Sequence, residues 1–210
     1  MIIQCDFDGT IATANVSVLL REEFAAGGWR AIDADYMQGK LTVEVSNQRQ
    51  FILLKEPRDK LMSFAREHAE VKDGFLEFVD YCRSTDIEFV IVSSGLDFYI
   101  QAVLEHIGAP DLELYCGQTT FGRDGIAVTY ISPDGNTIKK GFKRQYLDWL
   151  RQRGGTIAYI GDGLSDLEPA GAADYVFATG SLPALLQANS ISHHTFSNFH
   201  EILHQIRRIQ

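Results

Sequence analysis

Asp6 and Asp8 stand one residue apart in the stretch MIIQCDFDGTIA, with Gly9 and Thr10 directly behind them. Alternation along an extended chain points both carboxylates the same way and Phe7 the other. Like charges held that close repel, so they need a cation between them or a shared proton. Carboxylate-rich sites suit Mg²⁺, which takes one or two carboxylates, keeps several waters and accepts substrate phosphate. Taken alone, Asp-x-Asp-Gly is also what a strand end uses merely to turn. Two further clusters move the reading off that alternative. Ser93-Ser94-Gly95 closes the apolar run 87–92, and Gly161-Asp162-Gly163-Leu164-Ser165-Asp166 closes the run 156–160. Lys139, Lys140 and Lys143 precede a helical pattern over 145–151.

Positioning these groups falls to the elements before them. Residues 1–5, 87–92 and 156–160 are short apolar runs bounded by Gly, the pattern of buried strands. In a parallel sheet their C-terminal ends share one edge, where open α/β sheets bind ligands. Helices are expected over 75–83, through Leu104, over 145–151 and over 168–172, with a strand over 175–178. A final amphipathic helix carries Phe199, Ile202, Leu203 and Ile206. Residues 112–130 read as short strands, with Gly122-Arg123-Asp124-Gly125 as a hairpin turn. Alternating strand and helix predicts an α/β fold, a doubly wound parallel sheet with right-handed crossovers.

From about 13 to 71 the character changes. Val18, Leu19, Leu20 and Phe24, then Trp29, Ile32, Tyr36 and Met37, then residues 51–54 and 61–65 recur at helical spacings. Gly27-Gly28, Gly39 and Pro57 divide this into about four helices. That is more than one crossover needs. The expectation is a core of residues 1–12 and 73–210 with an inserted helical cap, 13–72, over the strand end that carries Asp6. The alternative is that these helices only cover one face of the sheet.

With 45% hydrophobic and 22% charged residues, the 210-residue chain should be globular. A formal net charge of −9 argues against a nucleic-acid partner, which needs a basic patch. A phosphate ligand stays compatible, because a bound divalent cation reverses the local field. Cys5, Cys82 and Cys116 have no C-x-x-C spacing, so reduced thiols and a cytoplasmic location are expected. No run approaches a membrane span, so no membrane partner is expected. A homodimer stays open.

In their order, Asp6-Phe7-Asp8-Gly9-Thr10, Ser93, a lysine before a helix, and Gly161-Asp162 with Asp166 resemble the four motifs of the haloacid dehalogenase (HAD) superfamily of phosphatases. The resemblance covers the whole chain and implies a Rossmann-like core. The helical insert looks like the cap of the phosphoserine-phosphatase-like branch. Residues 71–104 and 161–178 resemble the enol-phosphate phosphatases of methionine salvage. The resemblance implies that Asp6 is the nucleophile and Asp8 the acid and base. Mg²⁺ would be held by Asp6, the Asp8 backbone carbonyl and Asp162, with Asp166 supporting them. Ser93 and a lysine would bind the phosphoryl oxygens, beside Thr10 and Ser94. Lys143 is the choice because it directly precedes the helix; Lys139 and Lys140 are its rivals. An acid at Asp8 favours a hydrolytic phosphatase acting on a small phosphorylated metabolite.

Phosphoserine is the rival substrate. The acid that phosphoserine phosphatases use for the ammonium falls on Asn15, and their carboxylate-binding arginine falls on Gln50, beside Arg49. An ammonium and a carboxylate without charged partners would be poorly recognised. Trp29, Phe51 and Met37 offer an apolar wall to a thioether. A phosphotransferase would share Asp6 and Asp8, and a silent binding module would need neither. His200-Glu201-Ile202-Leu203-His204 matches the zinc-protease H-E-x-x-H pattern, but its apolar spacing already explains it as a packing helix.

Overall fold

Ile2–Cys5 forms β1, with all four residues buried at the centre of an eight-stranded sheet. The computed structural model describes residues 1–209. After β1 come four helices, α1 (Val16–Phe24), α2 (Trp29–Met37), α3 (Val43–Phe51) and α4 (Arg58–His68). Next are α5 (Phe75–Ser84), β2 (Glu88–Leu96), α6 (Asp97–His106), β3 (Glu113–Gly122), β4 (Gly125–Ile131) and β5 (Thr137–Ile138). The chain continues through α7 (Phe142–Gln152), β6 (Ile157–Gly161), α8 (Leu167–Ala170) and β7 (Tyr175–Ala178). It ends with α9 (Leu182–Ala188), β8 (His194–Thr195) and α10 (Phe199–Ile209).

The strand order is β5-β4-β3-β2-β1-β6-β7-β8. β1 pairs in parallel with β2 on one side and β6 on the other, with Cys5 level with Ile91 and Ile160. The chain winds outward from β1 through β2 to β5, then returns by α7 to β6 on the other side of β1, so the winding reverses between β1 and β6. In such sheets the ligand crevice opens at the strands' carboxyl ends. The register brings Asp6, Ser93 and Asp162 to that one edge. The antiparallel β3–β4 and β4–β5 pairs extend the sheet beyond its parallel centre. Among the described residues, no helix is long and apolar enough to cross a membrane.

Several boundaries differ from the sequence reading. β2 runs on through the polar Ser93-Ser94-Gly95 to Leu96, with a register shift between Val92 and Leu96 against β3. β3 and β4 are long, not short, and turn at Arg123-Asp124. α7 starts at Phe142 rather than 145, capped by left-handed Gly141, so Lys143 lies inside its first turn. α8 is one turn long and stops at Ala170. α9, which has a proline in its first turn, and the two-residue strands β5 and β8 were not expected from pattern.

The helices between β1 and α5 start where local chemistry favours it. Asn15 Oδ1 accepts the Val18 N–H at 3.0 Å, and Thr42 Oγ1 accepts the Val45 N–H at 3.2 Å. Each satisfies a donor that a helix start leaves open. The two connections to the core run side by side, with Thr13 N–H on the Glu70 carbonyl at 2.8 Å and Lys72 N–H on the Ile11 carbonyl at 2.9 Å. The buried face of α1 is Val16, Ser17, Leu20 and Arg21, whereas Val18 and Leu19 are half-buried. Gly125, at φ +123°, lies against the Ile52 carbonyl and leaves no room for a side chain.

α10 packs on α5 through Phe199, whose ring lies 5.1 Å from Phe75 and 5.5 Å from Phe78. Glu201 is occupied at the helix start, accepting from Ser197 N–H at 2.9 Å. Among the described residues the metal-capable acidic or thiol cluster lies elsewhere, at Asp6, Asp162 and Asp166.

Candidate active site

A cavity of about 260 Å³ opens at the strand ends. Asp6, Asp8, Ser93, Ser94, Lys143 and Asp162 line its sheet side, while Asn15, Arg21, Asp33, Tyr36, Asn47 and Gln50 line the side formed by the helical block.

Its centre is Lys143, 3% exposed. Its Nζ lies 2.9 Å from Asp6 Oδ2 and 2.6 Å from Asp166 Oδ1, and donates to Ser165 Oγ at 3.0 Å. Gln4 on β1 anchors the turn beneath it by donating to the Lys143 carbonyl at 2.9 Å. Burial alone would push the ammonium's pKa down, but Asp166 and Asp6 more than reverse this and hold it above its usual range. Lys139 and Lys140 are exposed and do not line this cavity.

Asp6 has one oxygen on Lys143 and the other, Oδ1, buried with no partner. Burial raises its pKa to about 6 against the pull of Lys143, which leaves it ionised at neutral pH. Asp8 is held differently. Its Oδ1 accepts the Val16 N–H at 2.8 Å, at the start of α1, and its Oδ2 accepts the Tyr99 hydroxyl from α6. Burial raises the Asp8 pKa despite these two donors.

Asp166, fully buried, has every oxygen spent. Oδ1 takes Lys143 and the Tyr159 hydroxyl at 2.5 Å; Oδ2 takes the Asp162 and Gly163 N–H groups at 3.0 and 2.9 Å. It therefore shapes the loop that presents Asp162. Asp162 lies against Gly9, which sits at φ +74°, where a Cβ would collide with its carboxylate. Burial, then Asp166 and Asp6, push Asp162 up to about 8. Oxygens of Asp6, Asp162 and Asp166 lie within 4.8 Å of one another. The close approach of these carboxylates in one pocket fits a divalent cation held by Asp6 and Asp162, with Asp166 left to orient rather than bind.

A pH prediction follows. Asp162 and Asp6 hold protons more tightly folded than unfolded, so that stabilisation is complete below the ordinary carboxylate range. It is lost as pH rises through about 6 for Asp6 and about 8 for Asp162. In chelator, wild type should lose Tm relative to Asp162→Asn between pH 5 and 8. Mg²⁺ competes with those protons, so it should raise Tm more at pH 8 than at pH 6. Calorimetry in both buffers checks this; a larger Mg²⁺ shift at pH 6 contradicts it.

Ser93 Oγ accepts the Gly95 N–H at 3.0 Å, and Ser94 Oγ is buried without a partner. The Ser94 carbonyl is pinned by Tyr130 at 2.5 Å and Asn47 at 2.8 Å. Thr10 does not join them: it is fully buried and does not line the cavity. Its hydroxyl lacks a partner within the fold. Of the three expected apolar-wall residues only Met37, 62% exposed, lines the cavity; Trp29 and Phe51 are buried behind it.

Sequence reasoning missed Tyr99, Arg21, Asp33 and Asn47. Tyr99 reads as core, and nothing local links it to a carboxylate 91 positions away. Arg21 did carry a signal. It falls five residues after Val16 and one after Leu20, on the apolar face of α1.

Residues 3–170 match the family of haloacid dehalogenase-like hydrolases. The chain belongs to that family. This hydrolase is 29% identical over 214 residues to the 2-hydroxy-3-keto-5-methylthiopentenyl-1-phosphate phosphatase of Brevibacillus brevis, covering 100% of this chain and 96% of that one. It is also 29% identical over 215 residues to the enzyme of that name from Geobacillus thermodenitrificans, covering 100% and 97%. Among solved structures, a substrate-bound phosphoserine phosphatase superposes with a TM-score of 0.72 at 19% identity, covering 97% of each chain. A phospho-aspartyl intermediate analogue of phosphoserine phosphatase gives 0.69 at 19%, again covering 97% of each. These structures share the hydrolase's fold, with its parallel-dominated sheet and Rossmann-like core.

Proposed function

We propose that this HAD phosphatase hydrolyses a small phosphomonoester through a covalent phosphate on Asp6, and that its substrate is 2-hydroxy-3-keto-5-methylthiopentenyl-1-phosphate. One observation carries the mechanism. Asp6 lines the cavity with one oxygen fixed on Lys143 and the other left without a partner, as a nucleophile needs. The full-length likeness to the phosphatases of that name supports the substrate.

Asp6 Oδ1 attacks phosphorus as the bond to the leaving oxygen breaks, and Asp8 gives that oxygen its proton. Asp8 then takes a proton from water, which attacks phosphorus, releases inorganic phosphate and restores Asp6. Lys143 and the Ser93 and Ser94 groups hold the phosphoryl oxygens, where transition-state charge collects. Mg²⁺, held by Asp6, the Asp8 backbone carbonyl and Asp162, would neutralise phosphoryl charge when bound. Residues 13–72 act as the cap and residues 1–12 with 73–210 as the core.

Tyr99 sets the state of Asp8. Its hydroxyl donates to the carboxylate, a bond that favours the charged form against the upward push of burial. Tyr99→Phe should raise the Asp8 pKa, shift the basic limb of the kcat/KM profile upward and lower kcat about 10- to 100-fold. An unmoved pH profile would count against Asp8 as the acid.

Phosphate release from a panel of esters, with Mg²⁺ and with chelator, tests the whole reading. The panel holds the methylthio enol-phosphate, phosphoserine and p-nitrophenyl phosphate. Mg²⁺-dependent release with preference for the enol-phosphate is expected; release from none of them contradicts it.

A further inference from the structure

Arg21 has no assigned task in the chemistry above. It sits on α1 at 3% exposure and still lines the cavity. The rings of Trp29 and Phe51 flank its guanidinium, with centroids at 5.3 and 5.6 Å. Rings attract the cation through their faces but satisfy none of its in-plane donors. Nε has no hydrogen-bond partner, and no carboxylate among the described residues reaches ion-pair distance. Asp33 and Asp8 act on it only at longer range. Burying a guanidinium without a partner is costly, and that cost recedes when a ligand completes it.

Its neighbours are already engaged. Asn47 Nδ2 is spent on the Ser94 carbonyl and on Tyr130. Gln50 Nε2 turns away to the Trp29 carbonyl at 3.3 Å and to Asp33 at 3.4 Å. Arg21 is thus the free cationic fork on the wall shaped by the helical block. Lys143 is tied into the opposite wall.

We infer that Arg21 is the specificity residue of this cavity, its fork binding a coplanar pair of acceptor oxygens on the substrate, away from the phosphoryl group. This rests on the proposal that a phosphomonoester seats its phosphorus at Asp6. A guanidinium matches two coplanar oxygens bidentately, as an ammonium cannot. Two sources share that chemistry: the vicinal hydroxyl and keto oxygens of a 2-hydroxy-3-keto enol-phosphate, and the carboxylate of a phosphorylated acid.

The test compares wild type, Arg21→Met and Arg21→Lys on the methylthio enol-phosphate, on phosphoserine and on p-nitrophenyl phosphate, which lacks an oxygen pair. Met keeps the volume between Trp29 and Phe51, and melting curves report whether the fold is intact. Arg21→Met should lower kcat/KM on the preferred oxygen-pair ester on the order of 100-fold. It should change p-nitrophenyl phosphate hydrolysis less than about threefold, and Lys should restore only part of the loss. A preference for phosphoserine that Arg21→Met abolishes would uphold Arg21 and overturn the enol-phosphate reading. Equal losses on all esters, no loss on any, or a wild type that does not distinguish oxygen-pair esters would overturn the role of Arg21 and leave the phosphatase reading standing.

Discussion

Asp6→Asn should abolish turnover, with kcat falling by at least about 10⁴-fold, while the protein stays folded. The amide keeps the shape of the carboxylate but cannot form the covalent phosphate. Its effect on stability should be neutral or favourable without metal. Burial makes ionised Asp6 costly, and Asp166 adds repulsion that only Lys143 opposes. A neutral amide removes both costs and still leaves Lys143 its 2.6 Å contact to Asp166. Single-turnover phosphate release and a chelator melting curve measure the two halves. Turnover near wild type would end the nucleophile assignment.

Lys143→Met should have the second largest effect, and it should appear in both activity and stability. The ammonium is buried between Asp6 and Asp166, with Asp162 close by. Removing it leaves buried carboxylates uncompensated, which costs about 3–5 kcal/mol. Turnover should fall about 10³-fold because the phosphoryl oxygens lose a fixed cation. Mg²⁺ should recover part of the stability and little of the activity. Lys139→Met and Lys140→Met should change neither, since both side chains are exposed. Urea unfolding with and without Mg²⁺ measures the stability term; a shift below about 1 kcal/mol would mean that the buried acids simply take up protons instead.

The contrast among these lysines shows what the sequence made legible. The ends of β1, β2 and β6 were readable because short apolar runs closed by Gly and acids have few other uses. Their meeting followed from parallel topology alone. Which lysine enters the site was harder to read. It depends on left-handed Gly141 starting α7 three residues before the helical pattern becomes regular. Thr10 shows the opposite failure. It sits inside the clearest motif, yet the turn after β1 sends it into the core rather than the cavity. On α1 the adjacent apolar residues Val18, Leu19 and Leu20 rotated the expected face, which hid Arg21. Tyr99 was out of reach because its partner is set by how α6 packs over the β1 end.

Reductive trapping tests the central claim most directly. The protein is mixed with substrate and Mg²⁺, quenched in acid within one turnover, treated with borohydride and digested for mass spectrometry. An aspartyl-phosphate is reduced to homoserine, so the account predicts homoserine at position 6 of the peptide spanning Asp6 and Asp8, and none without substrate. Homoserine at position 8 or 162, or turnover with no reduced residue at all, would contradict it.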